Sequence, residues 1–208
     1  MFKIAVLISG NGSNLEALIS ACKKNVINGT IDIIMGCMFS GKSTELIRLA
    51  NRYKILDLKV LIVNHKLDNR YSEDAVATHS QIKMDCLSID SLTKIKNEYR
   101  ELYDESQVII IEEAQFFTGL YNFVLEACEK DNKNVLVVGL DGDSNRKEFG
   151  EILKLIPVCN SVKKLYGLCV ICKDGTPACF SKRIVDSKSQ ILVGSNEFIA
   201  VCRKHYLS

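Results

Sequence analysis

The chain has 208 residues, 47% of them hydrophobic and 25% charged, with a formal net charge of +2. That suits one well-filled core, or one core with a small satellite module, and it excludes global disorder. So small a charge gives no sign of a nucleic-acid partner, and no run approaches the ~20 apolar residues that span a bilayer, so neither nucleic acid nor membrane is expected as a partner.

Residues 2–8 read as a buried strand, Gly10-Asn11-Gly12-Ser13-Asn14 as a turn, and residues 14–24 as an amphipathic helix. No small-residue cleavage site follows the apolar run, so a cytoplasmic location is expected. Runs rich in β-branched residues recur at 30–35, 59–63, 107–111 and 134–140, without period-two alternation. Such runs suit parallel strands covered on both faces. Helical periodicity fills the gaps at 42–56, 92–103 and 118–130. Strands alternating with helices predict an α/β fold. After Pro157 short apolar pieces are broken by Gly167, Asp174-Gly175, Pro177 and Gly194-Ser195-Asn196, which predicts a small loop-rich module.

The segment Gly36-Cys37-Met38-Phe39-Ser40-Gly41-Lys42-Ser43 fits G-x-x-x-x-G-K-[ST] between a strand and a helix. Its backbone N–H groups can curl around phosphates, Lys42 can supply a charge to the β/γ-phosphates, and Ser43 can offer a hydroxyl to Mg²⁺. The run 108–111 ends in Glu112-Glu113. Ligands bind outside the carboxyl ends of such strands, so one carboxylate can hold hydrated Mg²⁺ and the other can accept a proton from an attacking hydroxyl. Cys169 and Cys172 form one pair with a two-residue spacer, and Cys202 and His205 another. Three thiolates and an imidazole make a closed, structural Zn²⁺ site, which would stabilise a module too short to have much core. Cys22, Cys37, Cys86, Cys128 and Cys159 read as isolated, small, buried side chains.

Taken in order, these motifs resemble the thymidine kinase family of animals, many bacteria and large DNA viruses. The resemblance covers residues 31–208 and is carried by Met38–Thr44, Asp68-Asn69-Arg70-Tyr71, Glu112–Phe117, Leu140-Asp141-Gly142, Arg146–Gly150 and the two ligand pairs. It implies a phosphate-loop NTPase-like parallel sheet with helices on both faces and a zinc-binding lasso module. It implies ATP-dependent phosphorylation of thymidine, and of deoxyuridine, at the 5′-hydroxyl, with homotetramers as the assembly. Glu113 would be the catalytic base. Asp68, Asn69, Arg70, Glu112 and Gln115 would lie by the triphosphate and Mg²⁺. Phe149 would pack on the thymine, with Leu192, Val193, Gly194 and Phe198 near base or sugar. The chain departs from the family pattern at Cys37, usually Pro, at Glu112, usually Asp, and at Phe198, commonly Tyr.

Residues 1–30 resemble instead the start of phosphoribosylglycinamide formyltransferase, without that enzyme's catalytic groups downstream. The expected organisation is therefore a formyltransferase-like extension at 1–30, an ATP-binding kinase domain at 31–160 and the lasso module at 161–208.

Overall fold

The computed structural model describes residues 29–68, 75–77, 83–186, 189–190, 194 and 197–208. The strand, turn and helix expected at residues 2–24 lie outside them. The chain enters through Gly29, whose Cα sits so close to the Cys128 and Lys133 carbonyls that a Cβ would stand 2.5 and 2.8 Å from their oxygens. It then runs into β1 (Ile31–Gly36), the phosphate-loop strand.

Six parallel strands form one sheet in the order β5 (Leu87–Ile89), β2 (Val60–His65), β6 (Val108–Ile111), β7 (Asn134–Gly139), β1 and β8 (Ser161–Leu165). Helices cover both faces, as expected. Ile34, Ile62, Ile110, Leu136 and Val138 point to one side, against Leu46, Ile47 and Ala50 of α1 (Lys42–Ile55). Ile33, Val63, Ile109, Ile111, Val135 and Val137 point to the other. There they meet α2 (Thr93–Asn97), α3 (Arg100–Glu105), α4 (Leu120–Leu125) and a 3-10 helix at Ile152–Val158. Burial on both faces is why Val108-Ile109-Ile110-Ile111 shows no polar alternation.

Two helices differ from the expected periodicity. The stretch 92–103 breaks into α2 and α3 because Tyr99 leaves helical geometry at φ −119° and ψ 35°. Helix α4 continues into a π turn at Glu126–Lys130. Among the described residues no helix is long and apolar enough to cross a membrane.

Lys133 stitches this face together. Its Nζ donates to the carbonyls of Tyr103 (2.8 Å), Asp104 (3.1 Å) and Ser106 (2.6 Å), at the end of α3. A helix end buried without such a donor leaves orphan acceptors. Lys133→Met should keep the aliphatic packing but cost about 2–3 kcal/mol, read as a lower urea midpoint with an unchanged slope.

Beyond β8 lie two small antiparallel pairs. One joins β9 (Gly167–Leu168) to β10 (Pro177–Ala178), the other β11 (Phe180–Arg183) to β12 (Phe198–Val201). Helix α5 (Arg203–Leu207) follows β12. A further pair, β3 (Ala75–Ala77) and β4 (Lys83–Asp85), lies between β2 and β5 in sequence. The sheet takes in Ser161–Leu165, which the sequence groups with the C-terminal module; β8 pairs with β1 in parallel register from Asp32↔Ser161 to Gly36↔Leu165.

Candidate active site

The parallel arrangement brings the carboxyl ends of β1, β2, β6, β7 and β8 to one rim of the sheet. At the end of β1 a side chain on Gly36 would stand 2.3 Å from the Leu165 carbonyl oxygen, so only glycine lets the strand turn beside β8. Phe39 (φ 61°) and Gly41 (φ 83°) take left-handed backbone. Gly41 does so freely, whereas for Phe39 the cost is about 1–2 kcal/mol, borne by what surrounds the loop. Within it the Cys37 carbonyl accepts from Ser40 Oγ (2.7 Å) and Lys42 Nζ (2.8 Å). The amino end of α1 turns its positive pole toward the same space.

The loop is also held from outside. Met38 N–H donates to Ser181 Oγ (2.9 Å), and the Cys37 thiol donates to the Ala178 carbonyl (3.3 Å). Burial pushes the Cys37 thiol up, which keeps it a donor. Asp141, after β7, pairs with Lys164 of β8 at 2.6 Å.

Glu112 continues from β6, with its N–H on the Val63 carbonyl (2.8 Å). Its carboxylate accepts from Ser43 Oγ at 2.5 Å, across the end of the intervening β7. A hydroxyl and a carboxylate meeting beside a phosphate loop offer the hard oxygen donors that Mg²⁺ takes. Glu113 then adopts left-handed backbone (φ 50°, ψ 38°), which starts the 3-10 helix Ala114–Phe116 and sends the two carboxylates to different partners. Glu113 Oε2 accepts from Gln115 Nε2 at 2.5 Å, and Gln115 Oε1 accepts from Leu140 N–H at 3.0 Å. Both ends of this buried amide are thus engaged. Gln115 thereby forms a strut between Glu113 and the end of β7.

At the end of β2 the buried His65 accepts Leu67 N–H on Nδ1 (3.1 Å) and stands edge-on to Phe117, with centroids 4.6 Å apart. Burial lowers its pKa, favouring the neutral ring. Asp68 follows, its N–H on the His65 carbonyl (2.9 Å) and its carboxylate accepting from Asn64 Nδ2 (3.4 Å). Asn69 and Arg70 lie outside the described residues, as do Leu192 and Val193. Phe149 is buried with its ring edge-on to Phe116 at 5.6 Å, next in chain to Gln115. Phe198 is buried in β12, under the Arg183 guanidinium at 5.4 Å. Gly194 lies against the Glu197 carboxylate.

Cys169, Cys172, Cys202 and His205 come together as the spacing implies, their ligand atoms all within 4.8 Å of one another. Cys172 Sγ and Cys202 Sγ are 3.8 Å apart, and His205 Nδ1 lies 3.5, 3.3 and 3.5 Å from the sulfurs of Cys169, Cys172 and Cys202. Metal–sulfur bonds of 2.3 Å in a tetrahedron predict edges of about 3.8 Å between sulfurs and slightly less to nitrogen. The donors and their spacing therefore fit Zn²⁺.

Of the isolated cysteines, Cys37 and Cys128 are buried, while Cys86 and Cys159 are half-buried; Cys22 lies outside the described residues. Sequence reading misses Ser181, Ala178 and the Asp141–Lys164 pair, whose contacts carry no local spacing signal.

The thymidine kinase family model matches residues 29–206. The thymidine kinase of rice (Oryza sativa subsp. japonica) is 38% identical over 201 residues, covering 95% of this chain and 71% of its own. That of fowlpox virus (strain NVSL) is 38% identical over 185 residues, 87% of this chain and 98% of its own. The cytosolic thymidine kinase of chicken (Gallus gallus) is 37% identical over 182 residues, 86% and 77%. Among solved structures, AMPPCP-bound DnaA from Aquifex aeolicus covers 76% of this chain and 48% of its own at 14% identity and a TM-score of 0.42, a likeness too slight to build on. The formyltransferase likeness of residues 1–30 finds no support among these relatives. A family model that matches residues 29–206, together with 37–38% identity to plant, viral and animal relatives alike, makes the chain a member of the thymidine kinase family.

Proposed function

We propose that the chain phosphorylates thymidine, and deoxyuridine, at the 5′-hydroxyl, using ATP and releasing ADP. The observation that carries this is the divergence of the acidic pair. Glu112 reaches the phosphate loop at Ser43, while Glu113 is held by Gln115 on the other side of the same turn.

Bound Mg·ATP supplies the γ-phosphoryl group with part of its charge neutralised. Ser43 and Glu112 are the residues that would hold the metal, and Lys42, with the amino end of α1, stabilises negative charge on the phosphates. Glu113 takes the proton of the nucleoside hydroxyl, and Gln115 keeps its carboxylate oriented. Phe149 is the packing surface for the base, with Gly194 and Phe198 closing around base and sugar. Asp68, together with Asn69 and Arg70, serves the triphosphate. Zn²⁺ on Cys169, Cys172, Cys202 and His205 is structural, since four protein ligands leave no open position. The working assembly is a homotetramer in the cytoplasm.

Purified, zinc-loaded protein should convert thymidine and deoxyuridine to their monophosphates with stoichiometric ADP release. Folded protein that leaves thymidine, deoxyuridine and deoxycytidine all untouched would reject the reading.

A further inference from the structure

The C-terminal module touches the phosphate loop along its turn, and nothing in the chemistry assigned above uses that contact. A Cβ on Gly167 of β9 would lie 3.3 Å from the Phe39 carbonyl oxygen and 3.6 Å from that of Met38. Ala178 of β10 accepts the Cys37 thiol at 3.3 Å. Ser181 of β11 is buried and accepts Met38 N–H at 2.9 Å, across 143 residues of sequence. Two of these strands are anchored beside a ligand pair. Gly167–Leu168 leads directly into Cys169, and Ser181 pairs with Ala200, two residues before Cys202.

We infer that Ser181 is a positioning residue for the phosphate loop, fixing the loop's shape for a nucleotide through the Met38 N–H. The inference rests on the nucleotide-binding reading above. Phe39, one residue on, sits in strained left-handed backbone, and such strain persists only where surrounding contacts over-determine it. The Ser181 hydroxyl is one such contact. It comes from an element outside the sheet, which the Lys42 and Ser40 bonds to Cys37 do not reach. Without it Met38 N–H loses its acceptor and the turn relaxes. Nucleotide binding must then re-order the loop, and that cost appears as weaker affinity.

The test is calorimetric titration of Mg·ADP, without nucleoside, into the zinc-loaded full chain and its Ser181→Ala and Ser181→Thr variants, with zinc content and melting temperature measured alongside. Ser181→Ala should bind Mg·ADP about 3- to 10-fold more weakly, the effect of one lost hydrogen bond, with zinc content and melting temperature close to the unaltered chain. In turnover its KM for ATP should rise more than kcat falls. Ser181→Thr keeps the hydroxyl and should restore binding. Unchanged or tighter Mg·ADP binding in folded, zinc-loaded Ser181→Ala overturns the inference, as does a Ser181→Thr variant as weak as the alanine. If the unaltered chain itself takes up no Mg·ADP, the nucleotide-binding reading falls, and the inference with it.

Discussion

Glu113→Gln should reduce kcat for thymidine phosphorylation by about 10²- to 10⁴-fold, the usual worth of a positioned general base. The amide has nearly the carboxylate's size, and its oxygen can still accept from Gln115 Nε2, so the turn after β6 should survive. Mg·ADP affinity should therefore stay close to that of the unaltered chain, because the phosphate loop, Ser43 and Glu112 are untouched. The pairing of lost turnover with retained nucleotide binding separates a missing base from a collapsed site. Full activity in the variant would remove Glu113 from the chemistry and return attention to Glu112.

Removing one metal ligand should be as severe by a different route. Among the described residues Cys169, Ala178, Ala200, Val201 and Cys202 form one buried cluster in the C-terminal module, so two of the five residues of that cluster are themselves ligands. Its strands are two to four residues long. Segments this small fold on metal-binding free energy, which for structural zinc is about 10–16 kcal/mol. Cys172→Ala should lose stoichiometric zinc and several kcal/mol of stability, with a melting temperature lower by about 10 °C or more. Activity should vanish with it, since Ala178 and Ser181 would no longer brace Cys37 and Met38. Cys86→Ala and Cys159→Ala, at half-buried cysteines outside the cluster, are the controls. A Cys172→Ala protein that melts and turns over like its parent would show that the tetrad holds no structural metal.

What could be read from the sequence was what short spacings encode. The phosphate loop, the acidic pair and the two ligand pairs each announce themselves within eight residues, and the buried strands show as runs without alternation. The contacts that organise the site join distant residues. Ser43 meets Glu112 across 69 positions and Met38 meets Ser181 across 143, so no periodicity reports them. The Gln115 strut has the same origin. Its side-chain oxygen accepts from Leu140 N–H, just beyond β7, a partner set by the pairing of β6 with β7. The broken helix at Tyr99 fails for a related reason. The apolar spacing of Ile95, Tyr99 and Tyr103 suits one helix, yet bending at Tyr99 still brings all three to the core.

The entry of the chain at Gly29 has a practical bearing. β1 carries the backbone for six residues, about 20 Å at ~3.3 Å per residue, before the phosphate loop begins. The junction with residues 1–28 thus lies at the rim of the sheet remote from the reaction. A shortened form of the protein can be cut there, but the cut must leave Gly29 in place and unsubstituted, because any larger residue would press on the Cys128 and Lys133 carbonyls and shift the strand that feeds the loop. Affinity handles and immobilisation chemistry are best joined upstream of that glycine.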